Sequence, residues 1–373
     1  MNLAKFSKFA AIAAAAGAMM VSQAQAQIDY GKPGDPVKLV IGYQPYYTES
    51  WSGLVMRGKK FYEKYLPKGS TVEFQIGLQG AIIVNNMLAG KQHIGYMGDM
   101  PAIVSTTKSE TADIRLVATL GLGYDQCNIF LARTDAPKFA DANAALKWLD
   151  GKTVAVPKGS CTDRFAQATF QKAGVKPKEY LNQNIEVITS NFKAGKIDSA
   201  VIWEPTASRL VQEGLARRIA TGAQNNERDG AFMAMRADLI KARPDVVKAW
   251  MNAELDAQLF LADEKNAPEV IKMAKEQTTG FSDRVLFYAL YGQYSPEAGG
   301  TPNRINMHYA FTPEARELIT KATAFLHSVK SINVDKLRPE AIMPEFAEQV
   351  LAERKLKAPI GDVSALPDAQ APK

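Results

Sequence analysis

The sequence predicts an α/β protein of two lobes, each a sheet with crossover helices, carrying a helical C-terminal extension. Three observations lead there. Apolar runs of strand length alternate with segments of helical period twice over, first in residues 37–98 and again in residues 127–205. Both rounds end alike. "AGKQHIGYMGDMP" (89–101) and "AGKIDSAVIWEP" (194–205) each run from Ala-Gly-Lys through a short apolar stretch to an acidic residue and a proline. Finally, 373 residues exceed what one ordinary core holds.

The elements follow in order. "MNLAKFSKFA" supplies Lys5 and Lys8, an unbroken small-apolar run covers residues 9–21, and "AQA" ends at Ala26. This three-part pattern predicts a signal peptide over residues 1–26; the run is too short to span a membrane, and no cysteine follows it to carry a lipid. The mature chain is therefore expected to be exported and soluble. The first lobe begins in residues 27–124, with a strand at 37–42. Next comes a helix opened by Thr48 and Ser50 and ending near Pro67, then "STVEFQIG" as a strand. "AIIVNNMLAGK" is a helix closed by Gly90, and "HIGYMG" a third strand. The second lobe, residues 125–228, repeats the theme. "CNIFLAR" is a strand and "DANAALKWLDGK" a helix capped by Asp141. "TVAVPKGS" leads into the helix "TDRFAQATFQKAG", and "IEVITS" and "IDSAVIWEP" read as strands. Residues 229–360 return through the strand "GAFMAMRADLI" and complete the first lobe with helices. Residues 361–373 are Pro/Ala-rich and expected to be disordered.

The alternation implies parallel sheets, in which ligands bind beyond the C-terminal strand ends. "GDMP" and "WEP" then become matching strand tips facing one cleft. The formal charge is +6, of which Lys5 and Lys8 contribute two, and no basic block points to nucleic acid. The three histidines lack metal-ligand spacing, and neither a metal nor a cofactor is expected. Cys127 and Cys161 are either one disulfide or two buried thiols.

Five stretches, "GYQP", "LAGKQHIGYMGDMPAI", "LDGKTVAVPKGS", "KAGKIDSAVIWEP" and "RPDVVKAWMNAELDAQLF", occur in an order that resembles the solute-binding proteins of ABC importers, in the nitrate/sulfonate/taurine branch. The resemblance covers residues 37–274. It implies a two-lobe periplasmic-binding-protein fold of type II, working in the periplasm as a monomer. The partners implied are a small anionic solute and an inner-membrane permease with its ATPase. Relatives that make the thiamine pyrimidine share the fold, but their cysteine-rich motif is absent here. A secreted enzyme of that fold, or a sensor module presenting ligand to a receptor, is the alternative. The segment beyond Gly280 is longer than is usual for the family.

Carried onto this chain, the resemblance nominates loops at the strand tips. The first offers Gln44, Tyr46, Tyr47, Glu49 and Trp51, whose aromatic rings either hold a ligand body or cover the sheet end. Gln79 precedes a helix N-terminus. Asp99, followed by Met100, either binds a ligand amine or caps the helix starting near Pro101. Ser160, Cys161 and Thr162 open a helix whose N–H groups suit an oxyanion, and Arg164 either adds a charged hydrogen bond or lies on the surface. Trp203 offers a stacking face, Glu204 a ligand acceptor or inter-lobe clasp, and Asp229 lies on the return crossing. Helix N-termini together with aromatics point to a small organic anion, a sulfonate or carboxylate, aromatic ones included, rather than nitrate alone.

Overall fold

A computed structural model describes residues 28–373; the signal peptide expected at 1–26 lies outside them. The described residues form twelve strands: β1 (Lys38–Tyr43), β2 (Thr71–Ile76), β3 (Ile94–Gly98), β4 (Ile114–Gly123), β5 (Ile129–Arg133), β6 (Thr153–Val156), β7 (Glu179–Asn182), β8 (Ser199–Ile202), β9 (Ala216–Thr221), β10 (Asp229–Arg236), β11 (Asn303–Met307) and β12 (Gly361–Ser364). They make two sheets. One runs β12-β11-β4-β10-β3-β1-β2, the other β7-β6-β8-β5-β9. The chain passes from the first sheet to the second after β4 and returns before β10, so the second lobe is an insertion carried on two crossings.

Neither sheet is purely parallel. β1 pairs in parallel with β2 and β3, but β10 runs antiparallel to both β3 and β4. In the second sheet β5 is antiparallel to β8 and β9. The crossings force this, because a strand that returns from the other lobe enters the sheet from the opposite end.

Three local expectations are corrected. "IEVITS" is not a strand. Ile185–Lys193 is a helix that buries Ile185, Ile188, Thr189 and Phe192 on one face, with the Asn184 side chain accepting from Val187 N–H. Its β-branched residues suggest a strand, but their i, i+3, i+4, i+7 spacing is helical. The helix after Ser50 stops at Lys59. Lys60 turns left-handed, at φ 54°, and its N–H closes on Met56 O. A single 3₁₀ turn follows and sets Tyr62 flat against Trp250, ring centroids 5.7 Å apart. The third correction is the tail. Residues 361–364 pair with β11, Val363 is buried, and Leu366 N–H bonds Tyr291 O at 2.6 Å. Two apolar side chains outweigh the Pro/Ala composition that suggested disorder.

The long helix Pro244–Ala262 packs across the first sheet and buries Glu254. Its carboxylate accepts from Tyr96 Oη at 2.8 Å and Gln258 Nε2 at 2.9 Å. Burial outweighs these bonds and pushes the group up from 4.5 to about 7. The native state therefore binds this proton between about pH 4.5 and 7 where the unfolded chain has lost it. Stability from this group is present below that window and falls as pH rises through it. Urea midpoints of the wild type should decline from about pH 5 to about pH 8, with this group contributing on the order of 3 kcal/mol. Glu254→Gln should show a shallower decline; an equal slope would mean the carboxyl titrates normally.

Candidate functional site

A cavity of about 240 Å³ opens between the sheets' strand tips, with walls from both lobes. From the first come Gln44, Tyr47, Gln79, Gly98 and Pro101; from the second, Pro157, Lys158, Ser160, Cys161 and Trp203. The matching tips thus do confront one another, through Gly98 at the end of β3 and Trp203 beyond β8. Val84 and Val104 add apolar surface to the wall.

Two helix N-termini aim at this space. The helix Gly80–Leu88 follows Gln79, whose side chain makes no cap. A Cβ at Gly80 would stand 2.2 Å from Pro101 Cγ, so glycine lets this helix end sit against the β3 tip. Gln44 Oε1 ties the first and third strand tips by accepting from Gly98 N–H at 3.3 Å. Opposite, the helix Cys161–Ala173 follows Ser160, which also leaves the first turn uncapped. Its hydroxyl instead donates to Pro157 O at 2.6 Å and lies 2.6 Å from Thr162 Oγ1. Two helix first turns without a side-chain cap thus face the cavity from opposite lobes. Lys158 adds one formal cation, its ammonium 5.0 Å from the Tyr180 ring centroid.

Cys161 is joined to Cys127 in a disulfide with Cα atoms 6.1 Å apart. Cys127 sits on the outgoing crossing, one of the two that together form the hinge joining the sheets, so the bridge pins the second helix N-terminus to it. The same crossing is held by Asp229, whose Oδ2 accepts from Cys127 N–H and Asn128 N–H, each at 2.6 Å. Its other oxygen faces Glu49 across Gly123, where a Cβ would stand 2.9 Å from Glu49 Oε1 and 3.2 Å from Asp229 Oδ1. Burial, then the neighbouring Asp229, drives the Glu49 carboxyl far above its ordinary range. Tyr47 donates its hydroxyl to Glu49 behind the cavity wall.

Several nominated residues lie off that wall. Trp51 is fully buried in the first lobe, its Nε1 donating to Pro45 O at 2.9 Å. Met100 is buried in the apolar core beneath the β3 tip, and Thr162 is buried behind Ser160. Asp99 is buried too. Its carboxylate accepts from Met100 N–H at 2.7 Å and stands 3.5 Å from Arg164 Nη2. Burial raises it to about 6 against the pull of Arg164. Arg164 is no surface residue but a clasp between lobes, donating also to Arg228 O at 2.6 Å. Asp229 serves the hinge, as described. Tyr46 lines a neighbouring compartment, its hydroxyl 3.2 Å from Thr279 Oγ1.

Glu204 belongs to a buried charge network. Arg218 lies 2.8 Å from Asp125 and 3.3 Å from Glu204, while Arg304 lies 3.1 Å from Asp125 and 3.8 Å from Glu204. Ser208 donates to Glu204 from both its N–H and its hydroxyl, and the Tyr294 ring lies beneath the Arg218 guanidinium at 3.9 Å. Arg304 and Tyr294 come from the segment beyond Gly280. Its place is now plain: it adds β11 and β12 to the first sheet and drives two side chains under the second lobe's strand tip. Sequence carried no sign of this network, because its members lie up to 179 residues apart (Asp125 and Arg304).

The NMT1-like family model matches residues 32–275. The taurine-binding periplasmic protein of Escherichia coli strain K12 is 28% identical over 196 residues, 51% of this chain and 57% of the relative. The match thus spans little more than half of that relative's length. The nitrate-binding protein NrtA from Synechocystis PCC 6803 superposes with a TM-score of 0.68 at 17% identity, covering 88% of this chain and 93% of its own. The enzyme DszB, solved with biphenyl-2-sulfinic acid, superposes with a TM-score of 0.63 at 15% identity, covering 85% and 99%. These superpositions place the chain among two-lobe periplasmic-binding-protein folds.

Proposed function

We propose, from the premise that this chain belongs to the NMT1-like family, that it is the solute-binding component of an ABC importer. It takes a small organic anion, a sulfonate or carboxylate with an apolar or aromatic body, into the inter-lobe cleft. It then delivers that anion in the periplasm to a membrane permease and its ATPase. The lobes in this reading are residues 27–124 with 229–360, and residues 125–228.

The observation that carries the reading is the pair of uncapped helix N-termini meeting from opposite lobes over a mostly apolar cavity. N–H groups suit the oxyanion head; Trp203, Val84 and Val104 suit a carbon body. A taurine-binding relative and a fold neighbour crystallised with an aromatic sulfinic acid agree with that ligand class. The same neighbour, an enzyme, keeps catalysis as a second reading. Against it, the cysteine on this cavity wall is held in a disulfide and is no thiolate nucleophile.

Calorimetric titration with taurine, benzenesulfonate, benzoate and nitrate tests the proposal. An organic anion should bind more tightly than nitrate; binding of nitrate alone would overturn the ligand class. Trp203→Ala should weaken the bound organic anion at least about tenfold, or about 1.4 kcal/mol. Retained affinity with a lower melting temperature of the unliganded variant would make Trp203 a packing residue only.

A further inference from the structure

Beyond Trp203 and Gln79, which it shares with the first cavity, lies a second compartment of about 300 Å³. Its walls are Tyr46 and Phe281 from the first lobe and Ile185, Thr206 and Arg209 from the second, with Leu78 half exposed at its mouth. Tyr46 and Phe281 stand with ring centroids 6.0 Å apart, and the Arg209 guanidinium sits 5.0 Å over the Phe281 ring.

Arg209 is the unusual member. It is partly buried, yet no carboxylate pairs with it among the described residues, whereas Arg164, Arg218 and Arg304 each have a carboxylate partner. Of its five N–H donors, one bonds Thr189 Oγ1, at 3.3 Å, and its buried Nε has no partner. The one acidic residue on the compartment's wall, Glu186, is exposed to solvent. A flat cation clamped on an aromatic face, with most of its donors unused, is arranged to receive a planar anion.

We propose that this region is a second binding compartment, in which Arg209 receives the distal anionic group of an elongated, two-headed organic anion whose first head lies at the helix N-termini. The spacer passes between Trp203 and Gln79, where the two compartments meet. The proposal rests on the reading of the cleft as the solute site and narrows it to anions with a charge at each end.

Titrations with benzenesulfonate and para-sulfobenzoate test it, since the two differ only in the second charged group. Wild type should favour para-sulfobenzoate at least about tenfold, the worth of one charged hydrogen-bonded pair. Arg209→Gln should bring that ratio below about threefold, and Arg209→Lys should keep part of it. Equal affinities in the wild type, or a ratio undiminished in Arg209→Gln, would overturn the second compartment and leave the cleft reading standing. Failure of both probes to bind would overturn the two together. The wild-type ratio decides the matter even where a variant folds poorly, which its melting curve without ligand reports.

Discussion

Arg304→Met is expected to lower stability by about 3 to 5 kcal/mol, the usual cost of breaking a buried ion pair by removing one partner. Arg304 is fully buried and does two things at once. It balances Asp125 and Glu204 together with Arg218, and it satisfies the carbonyls of Gly292 and Ala289 at 2.9 and 3.0 Å. Methionine fills the volume but leaves two carboxylates to one guanidinium and two carbonyls without a donor. Burial already holds Glu204 at about 7 despite both arginines. Losing one should raise it further, so the variant should take up a proton near neutrality that the wild type shares only partly. Urea denaturation gives the stability and potentiometric titration the proton. Lys248→Met is the comparison, because Lys248 pairs with Glu353 at 2.6 Å on the exposed surface and should cost far less. Similar losses in the two variants would show that the buried network is not what steadies the hinge.

Opening the Cys127–Cys161 bridge should cost about 3 to 4 kcal/mol, the loop-closure value for cysteines 34 residues apart. The effect reaches the site as well. Cys161 begins the helix whose uncapped N–H groups face the cavity, and Cys127 shares Asp229 with the neighbouring crossing residue Asn128. Without the bridge that helix end is positioned by packing alone, and anion affinity should fall with stability. The Cys127→Ala/Cys161→Ala double variant should match the wild type in reductant, and reductant should leave the double variant as it was. A reductant-insensitive wild type with a destabilised double variant would trace the loss to cavity formation rather than to the cross-link.

Much of the site was legible because strand tips announce themselves. Glycine and proline punctuation places Gln44, Gln79, Ser160 and Trp203 in loops after strands, and those loops line the cavity. The same punctuation does not say which way a side chain turns. Trp51 and Met100 stand within a few residues of wall positions yet face the core, because the helix each occupies carries it around the axis by 100° per residue. Asp99 and Arg164 were each open to two readings, and what joins them is a contact between lobes. The helix at Ile185–Lys193 was hidden by composition, β-branched residues outweighing the helical period they followed.

The first three strands, the twofold α/β repeat and the paired strand tips are set by local regularities: apolar period, capping residues and chain-breaking glycine and proline. They can be read from the residues alone, because each depends on neighbours a few positions away. The antiparallel return of β10, the buried network of Asp125, Glu204, Arg218 and Arg304, and the unmatched charge of Arg209 come from the folded arrangement. Those depend on which charges share one dry volume and which are left unmatched. Electrostatic energy there is fixed by distances of 2.8 to 3.8 Å between residues distant along the chain.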